Sequence, residues 1–143
     1  PRRFQMQVDF LDAFPHYGVH GSAILLMDSQ DFPKYVLRYP VKPSMADLME
    51  SCCVGHPTVM FRREVYEKIG GYDPEFNMGC CEDYDYWLRV REHFKIFNST
   101  LPLYTKREHD GSSIGQLIRK DRRDVINTFD DLARVKARIR GLG

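Results

Sequence analysis

This sequence predicts an α/β domain, on three observations. Apolar runs of strand length alternate with segments whose apolar residues recur every three to four positions. Glycine and proline clusters separate the two kinds of segment, and no internal repeat or low-complexity stretch interrupts them. At 143 residues the chain has room for one domain with its own core. A hydrophobic content of 43% and an aromatic content of 13% exclude a disordered chain, and a formal net charge of +1 gives no strong electrostatic instruction. The longest apolar stretch, Ala23-Ile24-Leu25-Leu26-Met27, is far too short to cross a bilayer. The opening Pro1-Arg2-Arg3-Phe4 lacks the apolar core of a secretory signal, and the missing initiator Met suggests a processed chain or partial gene product.

The elements follow in order. Arg3 to Phe14 reads as an amphipathic helix with Phe4, Val8 and Leu11 on one face, stopped by Pro15. Tyr17 to Met27 reads as a buried strand. The prolines at 33, 40 and 43 make Asp28 to Pro43 mostly loop, with a short edge strand at Tyr35-Val36-Leu37. Ser44 can cap a short helix reaching Glu50. A strand at Thr58-Val59-Met60-Phe61 precedes a helix from Arg62 to Ile69, which Gly70-Gly71 stops. Tyr72 to Gly79 is loop, Glu82 to His93 helix, Lys95 to Leu103 strand, and Thr105 to Ser113 a polar loop. From Ile114, the pattern Ile118, Val125, Phe129, Leu132, Ile139 predicts one long helix ended by Gly141.

The cysteines form two adjacent pairs, Cys52-Cys53 and Cys80-Cys81. Neighbouring cysteines are poorly spaced to hold one tetrahedral ion, and a disulfide between the pairs needs an oxidising compartment. Buried, reduced thiols are the expectation.

The densest acidic group is Glu82-Asp83-Tyr84-Asp85, at the predicted start of a helix. Free backbone N–H groups and the helix dipole favour ionised carboxylates there. An ionised carboxylate on the rim of a cleft can accept a proton from a sugar hydroxyl, which is general-base chemistry. The same residues can also do no more than cap the helix.

The run Val59-Met60-Phe61-Arg62-Arg63-Glu64-Val65-Tyr66-Glu67-Lys68-Ile69-Gly70-Gly71-Tyr72-Asp73, followed by Glu82-Asp83-Tyr84-Asp85-Tyr86-Trp87-Leu88-Arg89, resembles family 2 glycosyltransferases of the GT-A fold. In their second half a strand leads into an R-R-E-V-x-E-x-x-G-G-Y-D segment and then E-D-x-D-x-W-L-R. Arg3 to Leu11 is similar to the helix that those enzymes place after a metal-binding Asp-x-Asp, and Tyr104 to Ser113 is similar to their Y-R-x-H-x-x-S segment. The resemblance covers residues 1 to 115. It implies a partial GT-A domain, Rossmann-like, with a mixed sheet and flanking helices, over residues 1–113. A basic amphipathic helix follows at 114–143.

The resemblance further implies transfer of a sugar, with inversion, from a nucleotide-diphosphate sugar to a hydroxyl of a glycan or other acceptor, in polysaccharide or glycoconjugate synthesis. Asp83 would be the catalytic base, Glu82 and Trp87 would bind the acceptor, and Arg107 and His109 would lie near the donor diphosphate. His109 is the one candidate metal ligand. The family's nucleotide-binding half and its Asp-x-Asp have no counterpart in this sequence. The divalent cation (Mg²⁺ or Mn²⁺) is therefore expected in the full-length enzyme rather than in this chain, which alone should turn over negligibly. A non-catalytic GT-A-like interaction module is the alternative. A hydrolase using Glu82 and Asp83 ranks last, because adjacent helical residues point about 100° apart and cannot flank one glycosidic bond.

The last helix carries Arg119, Lys120, Arg122, Arg123, Arg134, Lys136, Arg138 and Arg140. It could rest on an anionic membrane, which places the chain in the cytoplasm, peripheral to the inner face. It could equally pack on the domain or on a second copy in a homo-oligomer. No aromatic stacking platform accompanies it, so nucleic acid is not an expected partner.

Overall fold

The computed structural model describes residues 2–76, 81–108 and 123–141, with the side chains of the last stretch described from Asp130 onward. Its elements are α1 (Arg3–Ala13), β1 (Tyr17–Met27), β2 (Pro33–Leu37), α2 (Met45–Glu50), a 3-10 turn (His56–Thr58), β3 (Met60–Phe61), α3 (Arg63–Ile69), a second 3-10 turn (Pro74–Phe76), α4 (Glu82–His93), β4 (Lys95–Arg107) and α5 (Arg123–Ile139). The chain is α/β, a mixed sheet with flanking helices, compatible with a Rossmann-like fold.

β1 is the spine of the sheet. β4 runs parallel along it from Tyr17 to Met27. The opposite edge is shared by β3, antiparallel at Val19 and His20, and β2, antiparallel from Ile24 to Met27. A strand flanked on both sides and covered on both faces has no solvated face to fill with polar residues, which is why β1 reads as an apolar run. The parallel pair needs a long crossover, and α2, α3 and α4 supply it.

The register pairs Val19 with Ile96 and His20 with Phe97, and so sorts side chains between two layers. On one face α1 lays Phe10 on Phe97, ring centroids 4.2 Å apart, with its edge against His20 at 4.7 Å. On the other, Val19 and Ile96 join Leu48, Val65, Trp87 and Val90 in the main core.

Four expectations are corrected. In α1, Phe4 and Val8 are exposed and Gln7 is buried beside Leu11. Gln7 takes the inward position because backbone oxygens wait there: its Nε2 donates to His20 O at 2.9 Å and Thr58 O at 2.8 Å, and its Oε1 accepts from Arg3 at 3.0 Å. The strand predicted at Thr58–Phe61 is only Met60–Phe61, because His56–Thr58 closes a 3-10 turn around Pro57. β4 does not stop at Leu103 but continues to Arg107, so residues 105–107 are strand, not loop. Its register slips between Ser22 and Ile24 of β1, a bulge that absorbs Pro102 and lets pairing resume at Tyr104. Cys52, lastly, is exposed, whereas Cys53 is buried as expected; the thiols of these two are free.

The Ser44 cap forms as a full box. Asp47 N donates to Ser44 Oγ at 3.1 Å, while Asp47 Oδ2 accepts from Ser44 Oγ at 2.6 Å and from Ser44 N at 2.7 Å; the hydroxyl bond and then the backbone bond hold the Asp47 carboxyl below its usual range.

α5 packs across α4 through Ala133 and Ala137, both fully buried. Three of its described cations, Arg134, Lys136 and Arg140, are used inside the domain. Arg134 donates to Met49 O and Glu50 O, each at 3.1 Å, which satisfies the free carbonyls at the end of α2. Lys136 pairs with Asp73 at 2.5 Å and Glu75 at 2.6 Å, and Arg140 pairs with Glu92 at 2.8 Å. Among the described residues no helix is long and apolar enough to cross a membrane. Residues 114–122, the predicted start of this helix, and the side chains of Val125 and Phe129 lie outside the described residues.

Candidate functional site

The acidic block forms the first turn of α4, as predicted. Cys81 enters the helix with φ +67°, a left-handed conformation that turns the chain sharply, and its thiol donates to Asp130 of α5 at 2.9 Å. Helical spacing then divides the block. Tyr84 and Leu88 face inward, and the Tyr84 hydroxyl donates to Leu48 O at 2.6 Å. Tyr86 meets Phe61 of β3, and Trp87 meets the 3-10 turn at His56. Asp83 and Glu82 sit half-buried at the helix end.

Asp85 is fully buried and accepts from Arg89 Nε at 2.8 Å, one helical turn on. Arg89 spends its remaining donors on the loop after α3: Nη1 on Ile69 O at 3.2 Å and Nη2 on Gly71 O at 3.0 Å. Gly70 must be glycine here. Its φ of +78° with ψ of −156° is a region closed to residues with a Cβ. This clamp fixes Gly70-Gly71, and with it Tyr72, against α4.

The opposite wall is the segment from Cys52 to Thr58. Thr58 Oγ1 donates to Gly55 O at 2.7 Å and accepts from Ser22 N at 2.9 Å, while Asn98 Nδ2 donates to Cys53 O at 3.0 Å. Gly55 is fitted against Tyr39: a Cβ there would lie 2.8 Å from the ring.

Three side chains, Tyr39, Cys52 and Tyr72, feel the Asp83 carboxylate. Burial, then the charges of Cys52 and Asp83, push the Tyr39 hydroxyl up to about 12. Burial followed by the Asp83 charge pushes the Cys52 thiol up to about 12, even though the residue presents part of its surface to solvent. Tyr72 is raised by burial and then by Asp83 and Glu82. Asp83 itself accepts from the Tyr84 N–H at 2.9 Å and forms no ion pair with any described residue.

Beside Tyr72 opens a cleft of about 300 Å³, walled by Gly70-Gly71 and by His56, Phe61, Tyr66, Tyr72, Tyr86 and Trp87. The Tyr72 hydroxyl lies 3.0 Å from His56 Nε2. The buried polar atoms His56 Nδ1, Glu82 Oε2, Tyr86 OH and Trp87 Nε1 have no partner among the described residues.

No protein-family model matches the chain. It is 34% identical over 110 residues to EpsE of Bacillus subtilis (strain 168), provisionally named a glycosyltransferase; the match takes in 76% of this chain and 39% of EpsE. Over 108 residues it is 25% identical to the bifunctional glycosyltransferase pgtA of Dictyostelium discoideum, covering 73% of this chain and 14% of that protein. Over 67 residues it is 37% identical to the O-antigen biosynthesis glycosyltransferase WbnJ of Escherichia coli, covering 46% of this chain and 25% of WbnJ. The chain is related to glycosyltransferases. It spans well under half the length of these relatives.

Glu82, Asp83 and Trp87, three residues predicted for the site, all lie on α4: Asp83 and Trp87, four residues apart, share a side of the helix, and Glu82 points about 100° away from Asp83. Trp87 is fully buried and reaches only the inner wall of the cleft. Arg107 stands at the far end of β4, ion-paired with Asp31. His109 lies outside the described residues. Sequence reasoning did not single out Tyr39, Cys52, His56 or Tyr72. Tyr72 could have been found from its place directly after Gly70-Gly71; the others come from loops with no periodic signal.

The described residues do not fit a divalent cation. No group of three or more His, Cys, Asp or Glu side chains is placed to hold one, and the Asp85 carboxylate of Asp83-Tyr84-Asp85 belongs to Arg89.

Proposed function

We propose that this chain forms the acceptor side of an inverting, family 2 glycosyltransferase with a GT-A fold. Such an enzyme moves a sugar from a nucleotide-diphosphate donor to an acceptor hydroxyl. One observation carries the reading. Of the two aspartates in the block, Asp85 is consumed by Arg89, whereas Asp83 keeps its carboxylate free of any ion pair with a described residue, at a helix N-terminus beside an aromatic cleft. A carboxylate so placed can accept the proton of a hydroxyl.

In the step, the Asp83 carboxylate takes the proton of the acceptor hydroxyl. The hydroxyl oxygen bonds to the anomeric carbon from the face opposite the diphosphate. The bond from that carbon to the diphosphate oxygen breaks, and the electron pair leaves with the nucleotide diphosphate. Glu82, one residue away, would hold a neighbouring acceptor hydroxyl. A divalent cation is expected from the resemblance to neutralise the leaving diphosphate, and the same resemblance gives Arg107 and His109 a place near that diphosphate. No step is assigned to that cation here.

The test is Asp83→Asn in the complete protein that carries this chain. Transfer should fall by about 10²- to 10⁴-fold, the usual contribution of a general base, with nucleotide binding intact. Near-normal turnover would remove Asp83 from the role of base, whereas absence of transfer by the unsubstituted protein from any nucleotide sugar would favour a non-catalytic interaction module.

A further inference from the structure

We propose that a basic pocket at the far end of α4 from Asp83 binds a phosphate monoester, either a soluble one or the headgroup of a lipid. The inference does not depend on the sugar-transfer reading.

Three stretches remote in sequence meet where the two parallel strands begin. Tyr17, the first residue of β1, is paired with Lys95, the first of β4. A pocket of about 350 Å³ opens there. It is lined by His16 from the turn before β1, Lys42 from the loop before α2, Arg91 from the last turn of α4, and Lys95. Buried Tyr17, Pro43 and Ile96 give it an apolar floor. The place is distinct from the candidate site. Residues 83 and 91 lie about 12 Å apart along the helix axis, and Arg107 stands at the opposite end of β4.

The charge of this pocket is local. The whole chain carries a formal net charge of only +1, yet three cations and no Asp or Glu are among the lining residues. Lys42, Arg91 and Lys95 form no ion pair with a described residue, whereas Arg89, Lys136 and Arg140 each meet a carboxylate. A cleft lined by one sign of charge over an apolar floor focuses the field and concentrates counter-ions. The negative end of the α4 dipole accounts for Arg91 by itself, but not for Lys42 and Lys95, which come from other elements.

Arg91 is already oriented. Its Nε donates to Pro43 O at 2.9 Å, and its Nη1 and Nη2 make no bond to a described residue. A guanidinium held in this way keeps its outer nitrogens for an oxyanion. A phosphate monoester suits the set better than a carboxylate. It brings about two negative charges at neutral pH and three acceptor oxygens, which three cations from separate segments can share. The volume falls at the small end of ligand-sized pockets and leaves room for the group that carries the phosphate.

The chain would be titrated by calorimetry with glycerol 3-phosphate, with glycerol and acetate as controls. The salt is set at about 0.15 M, where charges more than about 8 Å apart are screened. Glycerol 3-phosphate should bind saturably and more tightly than acetate, and glycerol should not bind. Lys42 and Lys95 are exposed and their side chains bond to no described residue, so Lys42→Gln and Lys95→Gln should fold normally by circular dichroism. Together they should weaken binding about tenfold. Lys68→Gln, at an exposed position on α3, should leave it unchanged. Flotation with phosphatidylcholine vesicles, with and without phosphatidic acid, separates the two sources. Capture that requires phosphatidic acid and is lost in the pocket variants assigns a lipid headgroup, and glycerol 3-phosphate binding without capture assigns a soluble ligand. No saturable binding to either, an equal loss in Lys68→Gln, or acetate binding as tight as the monoester overturns the proposal.

Discussion

Arg89 and Asp85 form a salt bridge of 2.8 Å across one turn of α4, with the carboxylate fully buried and the guanidinium largely covered. The pair works as a strut, because the remaining donors of Arg89 hold Ile69 O and Gly71 O. It connects the acidic helix start to the glycine loop, the two pieces of sequence that stand out most in this chain.

Removing Arg89 leaves the buried Asp85 carboxylate without its hydrogen-bonded partner, with only Arg140 at 3.9 Å as a counter-charge. Arg89→Ala should therefore cost about 3–5 kcal/mol in urea unfolding. Arg89→Lys should recover only part of this, since an ammonium cannot span both carbonyls and the carboxylate. A loss below about 1 kcal/mol for Arg89→Ala would rule out the strut.

Cys52 should react slowly with iodoacetamide near pH 8 although it is exposed, because its thiol is pushed up to about 12 by burial and then by Asp83. Asp83→Asn removes the second cause and should speed alkylation severalfold. An unchanged rate would place Asp83 away from Cys52.

His20 is buried against Gln7, and burial holds its imidazole below the usual 6.5. The unfolded chain therefore binds this proton more readily than the folded one. The stability contributed by neutral His20 is present above pH 6.5 and lost as pH falls through the lower folded value. Chemical denaturation across this range should show the decline, and His20→Asn should flatten it.

Ala133 and Ala137 let α5 approach α4 closely. Ala137→Leu should destabilise by about 1–3 kcal/mol through overpacking. Val135→Ser, on the half-exposed outer face, should stay within about 0.5 kcal/mol. Equal effects at the two positions in thermal unfolding would contradict the packing of α5.

The local structure was legible where a residue's own chemistry decides it. The Ser44 cap, the Gly70 stop and the helix from Glu82 to His93 all form as read, because capping bonds, positive φ and helical periodicity are short-range effects. Periodicity misled at α1. Gln7 outcompetes Phe4 and Val8 for the interior because backbone oxygens from His20 and Thr58, remote in sequence, meet it there. β4 outran its prediction for the same reason: the register of β1 restores pairing beyond Pro102.

The sequence by itself determined the α/β class, the acidic start of α4, and Asp83 as the residue to suspect. Which aspartate is free was decided only by the tertiary structure. Asp83 and Asp85 are chemically alike and two residues apart, so local rules cannot separate them. Helix geometry buries Asp85 under Arg89 and leaves Asp83 at the rim, and the strut through Gly71 then brings Tyr72 to its side. That assignment depends on where α3 and the 3-10 turn pack, and packing is a property of the folded chain, not of any one segment.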